Sequence, residues 1–258
     1  MAKIEIKNRK GQNIVVLVEL VENQKGLAFV MHGLGGFKEN LHIIAFAEAF
    51  REKGYSTVRF DTTNTIGESD GNFEDATITN YYADLEDVIA WAKNQEWFQK
   101  PFCLAGHSLG GICTALYTEK HPVEVKALAP ISTVVSGKLS FEANSKYDPE
   151  EFEKWEKSGW QIRESKSKPG VMKKLPWSHM QDRLKYDLLQ DIDKLTMPVM
   201  LIVGELDKTT PLEHQQILFD KLPGKKEIHI IKGAPHSFME KEHLEEIKKI
   251  FKNWIDKI

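Results

Sequence analysis

The stretch Gly106-His107-Ser108-Leu109-Gly110-Gly111 constrains the fold of this chain more than any other. It follows a short apolar run, Pro101 to Ala105, and precedes a helical pattern from Ile112 to Thr118. A Gly-x-Ser-x-Gly match has chemical meaning in that context: strand, sharp turn, helix. The turn forces Ser108 into a strained backbone, and glycines at 106 and 110 remove side chains that would collide with the neighbouring strand or helix. A serine hydroxyl is thereby held at the C-terminal edge of a sheet, at a helix N-terminus. Ser108 is the candidate nucleophile. It needs a base within hydrogen-bond reach and a third group to orient that base.

The rest of the chain supplies a sheet for such a turn. The continuous apolar run Gly26–Met31 and the short stretches Ser56–Phe60, Val125–Pro130, Val199–Val203 and Glu227–Ile231 read as strands. Helical patterns intervene at about Asn40–Lys53, Asn80–Asn94, Leu212–Leu222 and Glu240–Ile255. Strands alternating with helices imply a mostly parallel sheet covered on both faces. Lys3–Lys7 and Asn13–Leu20 read as an antiparallel N-terminal ribbon, which brings the count to eight strands. At 258 residues one α/β domain accommodates all of this. A formal net charge of −3 gives no case for nucleic acid or an anionic membrane. The N-terminus has no apolar signal region, and no run approaches the length of a membrane span, so a cytoplasmic location is expected. Cys103 and Cys113 flank the serine turn and read as small buried hydrophobes. No Cys/His spacing resembles a zinc site, so neither metal nor cofactor is expected.

The base is expected in a loop at the same sheet edge. His236 follows the last strand in Lys232-Gly233-Ala234-Pro235-His236-Ser237 and fits that place. The orienting acid is expected at another strand end, in Gly204-Glu205-Leu206-Asp207, with Asp207 chosen over Glu205. The chain order Ser, Asp, His differs from the orders of the two best-known serine-protease folds. Two backbone donors should hold the oxyanion: Leu109 N–H after the nucleophile, and Leu34 N–H in the glycine loop His32-Gly33-Leu34-Gly35-Gly36.

With these four motifs in register over nearly the whole chain, the sequence resembles the α/β-hydrolase family. Within it the chain is similar to small bacterial serine esterases grouped with cinnamoyl/feruloyl esterases and monoacylglycerol-lipase-like acyl hydrolases. Arg59-Phe60-Asp61, Gly67-Glu68-Ser69-Asp70-Gly71 and Phe73-Glu74-Asp75 resemble the loop after those enzymes' fourth strand, although Thr62–Ile66 stands where relatives carry a glycine-containing stretch. Asp61 is expected to hold loops near the site.

The resemblance implies an α/β-hydrolase core at residues 1–131 and 190–258, with a cap inserted after the sixth strand at 132–189. Within the cap, Asp148-Pro149-Glu150-Glu151 reads as a capped helix start and Gly159 as its end. Trp155, Trp160 and Trp177 lie there. They either line an acyl or aromatic pocket over Ser108 or pack the cap onto the core, and both readings stay open. The expected activity is hydrolysis of a small-molecule carboxylic ester through an acyl-enzyme. Thioesterase, amidase, perhydrolase and acyltransferase chemistry use the same machinery, and a non-catalytic binding protein of the same fold is the reading of another class. The cap could also pack against a second subunit in a homodimer.

Overall fold

The computed structural model describes residues 1–165 and 167–258. Eight strands form one sheet: β1 (Ala2–Lys7), β2 (Asn13–Glu19), β3 (Gly26–Met31), β4 (Tyr55–Phe60), β5 (Phe102–His107), β6 (Val125–Ile131), β9 (Val199–Gly204) and β10 (Lys226–Ile231). Their order is β1-β2-β4-β3-β5-β6-β9-β10. Only the β1–β2 and β2–β4 pairings are antiparallel. The β4, β3, β5, β6, β9 and β10 strands are parallel throughout. This is the α/β-hydrolase fold.

The parallel strands explain their own burial. Side chains alternate across a strand, so a strand covered on both faces is apolar at every position. Leu27, Phe29 and Met31 of β3 join Phe102 and Leu104 of β5 in one core. Ala28 and Val30 join Cys103 and Ala105 in the other. The first core is closed by α2 (Ile78–Ala92), α3 (Leu109–Lys120) and α7 (Leu212–Lys221). The second is closed by α1 (Leu41–Glu52) and α8 (Lys241–Ile255). On α8, Ile247, Phe251 and Trp254 form one buried stripe, each stabilising by roughly 1.5–3 kcal/mol relative to exposure. Cys103 and Cys113 are both free and buried, and they lie in different cores on opposite faces of the sheet.

The chain leaves β3 for β4 on one side and returns to β5 on the other. A crevice opens where the strand order reverses in this way, at the carboxyl ends of the strands. The glycine loop and the serine turn both sit there.

Residues 132–189, between β6 and β9, carry more structure than the single helix read from sequence. They form α4 (Gly137–Tyr147), α5 (Pro149–Ser158), an antiparallel hairpin of β7 (Trp160–Glu164) and β8 (Met172–Pro176), and α6 (Ser178–Arg183). Helix α5 begins and ends where expected, with Gly159 left-handed at φ +78°. Its start is not a capping box, however. Asp148 makes no side-chain cap, because its Oδ2 accepts from Arg163 of β7 at 2.8 Å. Among the described residues no helix is long and apolar enough to cross a membrane.

Candidate active site

Ser108 stands between β5 and α3 with φ 55° and ψ −113°, a conformation that costs on the order of 1–3 kcal/mol in a non-glycine residue. The local packing holds it there. A Cβ on Gly106 would overlap the Gly110 carbonyl, and one on Gly110 would overlap the His32 carbonyl. The Ser108 N–H donates to Ile131 O of β6, fixing the turn to the sheet.

The structure brings Ser108, His236 and Asp207 into one row. Ser108 Oγ lies 2.9 Å from His236 Nε2, and His236 Nδ1 lies 2.8 Å from Asp207 Oδ2. Asp207 is buried, which pushes its pKa up. The His236 ring and the Thr210 donors overcome that and hold the carboxyl below the usual carboxylate range. The carboxylate is therefore an acceptor, so Nδ1 carries the ring proton and Nε2 is the basic nitrogen facing Ser108. Asp207 Oδ1 also accepts from Thr209 N at 2.8 Å and Thr210 N at 2.9 Å. The Thr210 hydroxyl lies 2.9 Å from Asp207 Oδ2. Glu205, the competing acid, points elsewhere, and its Oε2 accepts from Gly233 N.

The glycine loop lies beside the serine. A Cβ on Gly33 would come within 3.0 Å of Ser108 Cβ. The loop is closed by Gly36 N donating to Gly33 O. Among the described residues neither Leu34 N nor Leu109 N donates to a protein acceptor. Behind the loop, buried Asp61 accepts from Lys38 N at 2.7 Å, Lys38 Nζ at 2.8 Å and Glu68 N at 2.8 Å. It ties the glycine loop to the segment after β4.

Sequence reasoning missed the histidines that hold the His236 loop. His107 Nε2 donates to His236 O at 2.8 Å, and His42 hydrogen-bonds the Ser237 backbone. Their rings lie against each other at 4.4 Å, and His107 lies 4.8 Å from the His236 ring. Burial lowers both pKa values, that of His42 to about 3, which keeps both rings neutral. A histidine carries no sequence signal for burial, so only the position of His107 next to Ser108 pointed here.

In the insertion, Trp155 and Trp177 pack edge to face at 5.1 Å and gather Phe141 and Phe152 around them. This cluster packs on Leu34 and Phe73 of the core loops. Trp160 does not join it. It pairs with Pro176, one register position from the buried Leu175, so it occupies the opposite face of the hairpin and is 43% exposed.

Comparison with known proteins agrees with this architecture. A sequence profile described as serine aminopeptidase, S33, of the Hydrolase_4 family matches residues 22–243. The mitochondrial palmitoyl-protein thioesterase ABHD10 of Bos taurus is 25% identical over 217 residues, which is 83% of this chain and 68% of that protein. A structure of Est1E from Butyrivibrio proteoclasticus with ferulic acid bound superposes with a TM-score of 0.80 at 24% identity, covering 98% of each chain. Mouse alpha/beta hydrolase domain-containing protein 10 gives a TM-score of 0.80 at 21% identity, over 100% of this chain and 99% of that one.

Proposed function

This chain belongs to the serine aminopeptidase S33 family of α/β-hydrolases, and on that premise we propose that it is a serine hydrolase cleaving carboxylic esters of small to medium acyl or aromatic acids. The observation that carries this reading is the hydrogen-bonded row from Asp207 through His236 to Ser108.

In this reading Ser108 Oγ attacks the carbonyl carbon while His236 Nε2 takes its proton. The C–O π bond opens, and the oxyanion settles between the Leu34 and Leu109 N–H groups. Each such donor is worth about a hundredfold to a thousandfold in rate. Asp207 stabilises the imidazolium and keeps its tautomer. His236 then protonates the leaving alcohol, and an acyl group remains on Ser108. Water, deprotonated by the same nitrogen, releases the acid. The insertion roofs the site through Leu34 and Phe73, and Trp155 and Trp177 are the aromatic candidates for its acyl wall.

Thioesters are the second reading. ABHD10, a palmitoyl-protein thioesterase by name, resembles this chain over most of its length. A thiolate leaves with less help from the imidazolium, so the same residues serve.

The test is hydrolysis of p-nitrophenyl acetate, butyrate, octanoate and dodecanoate, methyl ferulate and palmitoyl-coenzyme A by wild type and Ser108→Ala, together with fluorophosphonate labelling. Labelling and turnover present in wild type and lost in the variant support the reading. A folded wild type that neither labels nor turns over any of these substrates refutes it.

A further inference from the structure

Arg183 closes α6 and is 7% exposed. One of its terminal nitrogens donates to Ser140 Oγ of α4 at 2.7 Å, and the other to His179 Nε2 at 2.6 Å. Its Nε is buried and has no partner among the described residues. Nor does any carboxylate among them come within ion-pair distance of the guanidinium. The adjacent Asp182 is committed elsewhere, to the Thr79 backbone N–H and hydroxyl and to Lys185 Nζ.

His179 does not supply the missing charge. Its Nδ1 lies 2.6 Å from Ala76 O, so it donates there and Nε2 is left to accept from Arg183. The ring is neutral, and burial together with the Arg183 charge lowers its pKa to about 3. Burial lowers the Arg183 pKa to about 10, which still leaves a full cation at neutral pH. A buried guanidinium is tolerated when a matched anion meets it, and this one hydrogen-bonds only a hydroxyl and a neutral ring; the Asp182 charge raises its pKa from a distance without forming an ion pair.

The residue that bears this cation is linked to the serine turn and to the aromatic cluster by contacts of the backbone and of His179. Val134 N, at the start of the insertion, approaches Ser108 O at 3.4 Å. Three residues on, Gly137 opens α4 against the Arg183 backbone carbonyl, which leaves no room for a Cβ. His179 stacks on Trp155, a member of the aromatic cluster that packs on Leu34.

We propose that Arg183, framed by Ser140 and His179, is a recognition site for a carboxylate carried on the acyl part of the substrate. The preferred substrates are then half-esters or half-thioesters of dicarboxylic acids. The chemistry selects that anion. Nε–H and a terminal N–H of a guanidinium lie in one plane at a spacing that matches the two oxygens of a carboxylate. A single cation with no carboxylate in ion-pair contact balances a monoanion and leaves a phosphate dianion half uncompensated. The site rests on the reading of Ser108 as the acylated serine, since that fixes which end of the substrate lies under the insertion.

The experiment separates the two. Binding of monomethyl glutarate, adipate and suberate is compared with that of the matching dimethyl esters by calorimetry on Ser108→Ala, which turns nothing over. The expected result is at least tenfold tighter binding of one half-ester than of its diester. Arg183→Met should erase that ratio and Arg183→Lys should retain part of it. Diesters binding as well as half-esters at every length, or no measurable binding of either, overturns the proposal from the Ser108→Ala protein alone, even where an Arg183 variant does not fold. So does a preference that survives Arg183→Met. Fluorophosphonate labelling of wild type reports on the serine reading independently: labelling with no half-ester preference sinks only the carboxylate site, and a folded, unlabelled wild type sinks the hydrolase reading.

Discussion

Lys38, just past the glycine loop of the core, and Arg183 in the insertion are both cations taken out of water, and only the first is ion-paired with carboxylates among the described residues. The Lys38 side chain is 0% exposed and pairs with Asp61 at 2.8 Å, with Glu68, and with Glu39 at 3.3 Å. Burial works to lower its pKa, and the Asp61 and Glu68 bonds more than reverse that and raise it. The cost of desolvation is met internally, by residues whose own backbone bonds brace the loop bearing Leu34. Arg183 hydrogen-bonds only neutral groups, and burial outweighs the nearby Asp182 charge, so its pKa falls. A buried charge with its partners in the chain is part of the architecture. A buried charge without them points to a partner from outside.

The sharpest division between the regions is chemical. Ser108→Ala should lower kcat/KM for p-nitrophenyl butyrate by about 10⁴-fold or more while leaving the protein folded, as loss of a nucleophile does in comparable triads. No single substitution in the insertion should approach that, because no insertion residue touches the reacting atoms in the proposed mechanism. A Trp177→Ala variant as inactive as Ser108→Ala, at normal stability, would erase the distinction.

Stability gives the next largest effect. Lys38→Met leaves Asp61 buried without its cation, and removing one partner of a buried pair costs about 3–5 kcal/mol. Urea unfolding followed by circular dichroism measures it. The same change at Arg183 strands no carboxylate: the Ser140 hydroxyl and the His179 ring nitrogen each lose a donor, and a methionine fills the space. Arg183→Met should therefore shift unfolding by no more than about 1 kcal/mol in either direction. Equal costs at the two positions would mean that Arg183 is as structural as Lys38.

The two regions also differ in how much of them could be read before the structure. The core was legible because the central strands β3 and β9 are free of polar side chains and β5 is so up to its last residue, and because glycines mark the places where backbones touch, as at Gly106 and Gly110. Asp207 and His236 were legible as polar residues just past strand ends. The insertion lacked these signals. Helix α4 opens on Gly137 and carries no clear apolar stripe, and both hairpin strands are largely exposed, so no alternation marks them. The expected cap at Asp148 failed because Arg163, fifteen residues on, claims the carboxylate. His42, His107, His179 and Arg183 were opaque for a common reason. Residue type gives no hint that a histidine or arginine is buried, and each of these is buried by contacts distant in sequence.

Glu119 on α3 supplies the finest test, because it is a third kind of buried charge. It is 6% exposed, and its Oε1 has no partner among the described residues. Burial, with the nearby Asp191 charge adding to it, raises its pKa to about 8. A carboxyl has an escape that a guanidinium lacks: it can hold its proton and be neutral at pH 7, whereas Arg183 stays charged. The sign follows from linkage. The unfolded side chain titrates near pH ~4.3, so between that value and about 8 the folded state binds more protons than the unfolded state, and stability falls as pH rises. The contribution is intact at pH 4 and lost by about pH 8. Thermal unfolding of wild type and Glu119→Gln from pH 5 to pH 9 isolates it, since every other group titrates alike in the two proteins. The gap in Tm in favour of Glu119→Gln should widen from pH 5 to about pH 8 and then level off. A gap that stays constant would mean that α3 holds an ionised Glu119 with partners enough, and that an unpaired buried charge in this protein need not call for a counter-ion. An anion at Arg183 would then lose its physical basis.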